Sequence, residues 1–293
     1  MAEETLPIYQ IPDFETEKIN PSDFYYSELE VHLKTHLFIQ KPHKHDFYIV
    51  LIITEGTGIH TIDFRNYPVK PRTAFFLSPG QVHSWELSPD TKGHILFFSS
   101  SFYSAFFTQK KLMSFTFFRS NISMHSLELA MNERDELLFY FERINKEIQN
   151  PGWSSHTQLA SYTDLLLTNA HRYFLAKNQN SITPAKQHDL FQKLEILIES
   201  EFMDHREVGY YAQEMNISLK QLNAITKNAV GRTVSNMILE RVILESKRLL
   251  TNSSLTVAEI AVKFKFDDPS YFSRLFKRKT SFTPEQFRKE IHS

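Results

Sequence analysis

The 293-residue sequence contains no cysteine. That absence excludes disulfides, thiolate nucleophiles and thiolate-ligated metals, and it fits a reducing cytoplasm. A long apolar run is missing too. The most apolar stretch, Ile95 to Phe118, is broken by serines and by Gln109, Lys110 and Lys111, so no segment reads as a bilayer span. The opening residues, MAEETLPIYQIPDF, carry acids where a secretory signal carries basic residues and then an apolar run, and export is not expected. What the chain does have is 41% hydrophobic and 14% aromatic residues, enough for two domains with cores of their own.

Net charge is nearly absent, at −1, but it is unevenly placed. Residues 185–293 hold 17 Lys and Arg against 14 Asp and Glu, and from Arg241 onward the count is 11 against 6. Such an excess attracts a polyanion, and taken alone it equally describes a solvated helical surface.

Residues 30–100 read as short apolar runs with turn signals between them: YIVLIIT then EGTG, IHTIDF then RNYP, TAFFLSPGQ, and HILFFSS. This pattern predicts strands. From Glu133 to Lys177 the spacing becomes helical, with Leu137, Leu138, Phe141, Ile144 and Ile148 in one segment and Leu159, Tyr162, Leu166 and Leu167 in the next. The polar stretch KNQNSITPAKQH (177–188) reads as a linker, and everything after it as helix.

Within 189–293 a pattern occurs twice. Val208, Tyr211, Ala212 and Met215 recur forty-nine residues later as Val257, Ile260, Ala261 and Phe264. Each set forms one face of a short helix that turns into another. Thr256 with Glu259 has capping-box spacing, and Asp268 followed by Pro269 marks the start of the last long helix. In that helix Phe272, Leu275 and Phe276 share a face, and Ser270, Tyr271, Arg274, Lys277 and Arg278 lie opposite. The first copy presents Lys220, Gln221, Asn223 and Lys227 in the same way. A helix fastened by an apolar stripe and backed by polar and cationic groups suits a DNA major groove. There Arg bonds two acceptors on guanine, Asn or Gln suits adenine, and Lys neutralises phosphates.

The segment AEIAVKFKFDDPSYFSRLFKRKTSFTPEQFRK (258–289) resembles the signature of the AraC/XylS family of bacterial transcription regulators. The resemblance implies two helix-turn-helix units joined by a rigid helix, here about Thr233 to Leu250, with recognition helices in successive major grooves. It assigns base reading to Lys220, Gln221 and Asn223 in the first unit and to Ser270, Tyr271 and Arg274 in the second. The sequence also departs from the family pattern. Lys265 and Ser281 stand where glycine is usual, Ala224 and Thr226 replace an arginine and a phenylalanine, Glu207 occupies an N-cap and Gly209 lies inside a helix. Unit one is therefore expected to be the looser reader.

Upstream, KPHKHDFYIVLIITEGTGIHTIDF and FFLSPGQVHSWEL (41–87) resemble the cupin-like effector domain of the same family. That implies a small β-barrel with a ligand in its interior, and repeated short strands independently favour closure. Alternation places His43, His45, Phe47, Ile49, Leu51 and Ile53 on the lumen side. His43, His45 and His83 resemble part of a cupin metal set, but apolar residues near Ile49 and Val50 replace its glutamate, so no metal is assigned. By resemblance to the arabinose-sensing member, His83 and Trp85 are candidate effector contacts alongside His43 and His45, with core packing an equal reading for Trp85. The terminal arm, residues 1–28, is a candidate cover for the pocket.

The expected fold class is α+β: a cupin-like barrel with two following helices over 1–178, a linker at 179–188, and an all-α domain with two helix-turn-helix units over 189–293. The expected function is effector-controlled, sequence-specific DNA binding, without catalytic residues or a cofactor. Expected partners are double-stranded operator DNA, a small-molecule effector that is either a sugar or, given the 26 phenylalanines, a lipid-like or aromatic compound, RNA polymerase, and a second copy of the chain paired through the helices after the barrel; no membrane is involved. The competing readings are a cupin-type metal-dependent enzyme or sugar-binding module with an accessory helical domain, and a constitutive regulator whose barrel only dimerises.

Overall fold

The structure is a computed structural model that describes residues 7–14, 23–36, 41–110, 112–119, 124–177 and 185–291. The chain divides into two compact units, Pro7–Gln179 and a second that begins at Asn180. Most of the expected linker lies outside the described residues, as do residues 1–6 and 15–22 of the arm.

The first unit contains, in chain order, β1 (Ile8–Tyr9), β2 (Phe24–Glu28), α1 (Leu29–Thr35), β3 (Lys44–His45), β4 (Tyr48–Glu55), β5 (Gly58–Ile62), β6 (Arg65–Val69), β7 (Thr73–Leu77), β8 (His83–Leu87), β9 (Lys92–Phe98), α2 (Ser100–Phe106), β10 (Ser126–Glu128), α3 (Met131–Gln149) and α4 (Ser155–Lys177). Five strands form a sheet in the order β10-β7-β4-β9-β2, three form a second in the order β6-β5-β8, and β1 pairs in parallel with β3. The start of the predicted strand region is helical, and a second short helix follows directly after its end. The segment Leu29–Thr35 buries Leu29 and His32 one turn apart, and Ser99 caps α2 by accepting the Phe102 amide proton.

Strand β4 runs through the centre of the five-stranded sheet, and all of Tyr48 to Ile53 is buried. Its odd and even residues serve different cores. Ile49 pairs with Leu77 and Phe97, and Leu51 with Phe75 and Ile95, in a row facing the lumen between the sheets. Val50 pairs with Phe76 and Leu96 in the opposite row, which packs beneath α3 and α4. Burial on both faces explains why YIVLII is uniformly apolar. A Cβ at Gly93, on the neighbouring strand, would stand 2.0 Å from the Ile52 carbonyl oxygen, so only glycine permits that approach.

The apolar stripes of α3 and α4 are largely consumed in covering the barrel. Leu137, Phe141, Ile144, Leu159, Leu166 and Phe174 join the core formed with Tyr48, Val50 and Phe98. Each large apolar side chain so buried contributes about 1.5–3 kcal/mol. Met131, Phe139 and Leu165 remain exposed on the same helices.

The second unit is helical: α5 (Ala185–Glu201), α6 (Val208–Glu214), α7 (Leu219–Val230), α8 (Val234–Asn252), α9 (Val257–Lys263), α10 (Pro269–Thr280) and α11 (Pro284–Ile291). The 19 residues of α8 span about 28 Å. Arg241 locks α8 to α5 by donating to both carboxylate oxygens of Glu199 at 2.8–3.0 Å, and it also pairs with Glu245 at 2.9 Å. Arg248 pairs with Glu245 from the other side. At the far end Arg288 donates to the Leu250 and Leu255 carbonyls, fastening α11 to the end of α8.

Candidate DNA interface and effector site

The two helix-turn-helix units are α6–α7 and α9–α10. In unit two the Thr256 hydroxyl accepts from the Glu259 amide while the Glu259 carboxylate accepts from the Thr256 amide. Asp268 caps α10 by accepting the Ser270 amide proton at 2.8 Å, with Pro269 in the first turn. Unit one caps α7 with Ser218 and Gln221, but Glu207 makes no side-chain cap on α6. The sharp turns fall at Asn216 (φ 51°) and Lys265 (φ 56°), and the left-handed helix ends at Gly231 (φ 67°) and Ser281 (φ 70°). Asn and Gly tolerate that region, whereas a lysine or serine there costs roughly 1–2 kcal/mol. Arg206 supports the strained turn: its guanidinium stacks 3.8 Å above the Phe266 ring and donates to the Lys265 carbonyl at 2.5 Å.

In α10 Phe272, Leu275 and Phe276 are buried, and Ser270, Tyr271, Arg274, Lys277 and Arg278 face outward. In α7 Leu222, Ile225 and Thr226 are buried, Lys220, Gln221 and Lys227 are exposed, and Asn223 is half-buried. Three of the candidate readers have local partners for their side chains. The Gln221 side-chain oxygen accepts from the Ser218 amide and hydroxyl, and Asn223 Nδ2 donates to the Leu219 carbonyl at 3.2 Å. Arg274 forms an exposed ion pair of 3.4 Å with Asp268, a contact weak enough for a nucleic acid to replace. A cleft of about 280 Å³ beside α10 is lined by Arg206, Ser235, Asn236, Tyr271 and Arg278. Arg206 and Asn236 were not among the sequence candidates, because each lies outside a recognition helix.

In the first unit the lumen gathers His43, His45, His83 and Trp85, all buried. A backbone bridge pairs His43 with His83, and their rings lie 4.3 Å apart. The His45 ring is 5.1 Å from His83, and the Trp85 ring is 5.2 Å from it. His43 Nδ1 donates to the Lys41 carbonyl at 2.8 Å and His45 Nδ1 to the Phe47 carbonyl at 2.7 Å, which fixes both tautomers because a carbonyl only accepts. Among the described residues, no three side chains of His, Asp or Glu are arranged to hold a metal ion.

Three further histidines belong to the same lumen. His60, on β5, lies 3.0 Å through Nε2 from His83 Nδ1. His32 and His36 come from α1 and the residue that follows it, and Tyr25 Oη lies 2.7 Å from His32 Nδ1. Burial pushes His32 and His60 down to about 3, and it holds His43 and His83 below the ordinary imidazole value. The alternation of His60 with Ile62 in IHTIDF was the available signal for that residue. The spacing of His32 and His36 carries meaning only once the segment is known to be helical.

Part of the arm does close the barrel. β1 pairs with β3, and a short 3₁₀ turn at Ile11–Phe14 sends Ile11 and Phe14 into the lumen core. The Phe14 ring stacks on His32 at 5.4 Å and meets Phe97 edge-on at 4.9 Å. On the other side a cleft of about 490 Å³ runs along Trp85 between Leu33 and Lys34 of α1 and Leu87 of β8.

Two family models match the chain. The AraC-like ligand binding domain matches residues 27–137, which hold β3 to β10 and the start of α3, and a helix-turn-helix domain matches residues 211–290. The HTH-type transcriptional activator RhaR of Shigella dysenteriae is 22% identical over 247 residues, covering 84% of this chain and 86% of the relative. RhaR of Escherichia coli K12 is similar to the same extent. Among solved structures, unsaturated fatty acid-bound ToxT from Vibrio cholerae is 15% identical and covers 94% of this chain and 97% of its own, with a TM-score of 0.42. With a ligand-binding domain and a helix-turn-helix domain in this order, together spanning well over half its length, the chain belongs to the AraC family of transcription regulators.

Proposed function

We propose that this regulator reads its operator through the outward faces of α7 and α10 and takes its effector in the lumen between the two sheets. Ser270, Tyr271 and Arg274 contact bases in one major groove, and Lys220, Gln221 and Asn223 in the next; Lys227, Lys277 and Arg278 neutralise phosphates. The observation that carries the reading is duplication: two helices, each pinned by a buried apolar stripe and each presenting exposed polar and cationic groups, flank one helix about 28 Å long. That length approaches the ~34 Å between successive major grooves on one side of a duplex. The Gln221 cap occupies that side chain's acceptor and the Asn223 back-bond engages its amide donor group, which supports unit two as the stricter reader.

In the same reading the domains are 1–178, a linker at 179–188, and 189–293, supported by the division of contacts after Gln179. Effector binding favours one arrangement of the two domains, and so one state of operator occupancy. The working unit is a cytoplasmic homodimer that acts on RNA polymerase at the promoter. It has no catalytic step. Exposed Met131, Phe139 and Leu165 on α3 and α4 support the pairing surface. The test is a band-shift titration of the full chain on genomic fragments recovered by bound-site mapping. Sequence-specific retention that weakens with salt, and weakens further in Arg274→Ala, is expected; equal affinity for random duplex of the same length would overturn the reading.

A further inference from the structure

The polar atoms of the lumen define the chemistry of its guest, an inference that rests on the proposal that the lumen is the effector site. The rings of His60, His83 and Trp85 stand in a near-equilateral triangle, with centroids 5.3, 5.4 and 5.2 Å apart. His60 and His83 are 1% exposed and Trp85 is 7%. One hydrogen bond joins His60 Nε2 to His83 Nδ1, while His60 Nδ1, His83 Nε2 and Trp85 Nε1 are buried and make no hydrogen bond within the protein. Buried polar groups ordinarily find partners, so three unmet nitrogens in one cluster point to a guest.

A neutral imidazole has one N–H and one lone pair. If His60 Nε2 carries the shared proton, then His60 Nδ1 is bare and His83 Nε2 bears hydrogen. If His83 Nδ1 carries it, the roles reverse. In both cases the pair turns one donor and one acceptor outward. With the indole N–H, the three rings offer two donors and one acceptor, the complement of a single hydroxyl group with its two lone pairs and one O–H.

A carboxylate does not match, because it only accepts and would face the bare imidazole nitrogen. Among the described residues of this unit no lysine is buried to offset this, and the one buried arginine, Arg119, donates to the Met113 and Ser114 carbonyls beside the helix-side core. A sugar matches less well, since beyond the histidines most of its remaining hydroxyls would meet the apolar rows of Phe47, Ile49, Leu51, Phe75 and Phe97. We propose that the effector is an uncharged compound with an apolar body and one terminal hydroxyl, a phenol or a long-chain alcohol, and that His60, His83 and Trp85 hold that hydroxyl. The cleft along Trp85 between α1 and β8 is its way in.

The experiment uses the full chain carrying Trp153→Phe. Trp153 is 96% exposed, and its removal leaves Trp85 as the only indole. Phenol, 1-octanol, benzoate, octanoate and glucose are titrated at neutral pH up to their solubility, with melting temperature and Trp85 emission as readouts. Phenol or octanol is expected to raise the melting temperature and shift the emission, and which of the two does so distinguishes an aromatic from an aliphatic body. The matching carboxylate is expected to need about tenfold more, and Trp85→Phe to weaken the alcohol about fivefold as read by melting temperature. His60→Leu is expected to weaken it further. If that variant does not fold, Trp85→Phe carries the test. Tighter binding of glucose or of a carboxylate, no response to either alcohol, or unchanged affinity in Trp85→Phe would each overturn the proposal. Operator binding is measured in parallel: its absence strikes the regulatory reading, whereas failure of the alcohols with operator binding intact strikes this inference alone.

Discussion

In the unit Pro7–Gln179 seven histidines lie buried, and His32, His60 and His83 each keep a nitrogen that meets no protein partner, whereas in the unit beginning at Asn180 no described histidine is buried and the cations of α7 and α10 face outward. In the second unit the buried guanidinium groups of Arg241 and Arg248 are paired with Glu199 and Glu245. A small-molecule site is made by leaving interior groups unsatisfied until a guest arrives. A nucleic-acid surface is made the other way, by satisfying the framework so that the exposed charges stay where the helices put them. Comparison of the two helix-turn-helix copies sharpens the point. Their buried stripes match, and they differ in caps, turn residues and exposed charges, which are positions that set local stability and contact chemistry rather than fold.

The largest expected difference between the units is in acid. His32 and His60 titrate near 3 in the fold and near 6.5 when unfolded, so between those values the unfolded chain binds more protons. The stability that these two buried neutral histidines contribute to the barrel is therefore fully present above about pH 6.5 and is lost as pH falls toward 3. In the second unit burial raises the Glu245 carboxyl, but Arg241 and Arg248 more than reverse this and leave it below its usual value, so its contribution fails only below about pH 4.5. Calorimetry of the full chain at pH 5 should show the barrel transition moving down first; simultaneous loss of both would erase the contrast.

Next in size, Arg241→Ala should destabilise the DNA-binding unit by about 3 kcal/mol, since it leaves Glu199 and Glu245 without their shared partner. Denaturant unfolding that leaves the barrel transition unchanged would check this. Arg274→Ala should cost about 1–3 kcal/mol of operator binding with little change in melting, and Lys220→Ala about 1 kcal/mol, measured by band shift. An equal effect of the two would remove the distinction between strict and loose reader. Smallest, Lys265→Gly should stabilise by about 1 kcal/mol because it relieves the left-handed turn, while Asn216→Gly should change little.

The helical half was readable at the level of single residues. The Thr256–Glu259 capping box, the Asp268 N-cap, the stripe of Phe272, Leu275 and Phe276 and the positive φ at Lys265 all rest on interactions within a few positions of one another. In the barrel the lumen row from Phe47 to Ile53 was also readable, because alternation is local. The helices at Leu29–Thr35 and Ser100–Phe106 were not, since their apolar residues are too few to show a period. His60 escaped notice because its partner, His83, is twenty-three positions away and on another strand.

Periodicity and capping, which act over three or four residues, are enough to set the division into a strand-rich and a helical half, the duplicated unit and the polar faces of α7 and α10. Only the tertiary structure decided that α3 and α4 spend their stripes on the barrel, that Arg241 joins α5 to α8, and that His60, His83 and Trp85 meet around one unfilled set of hydrogen bonds. Those outcomes depend on strand register and helix docking, which bring together residues that share no local pattern.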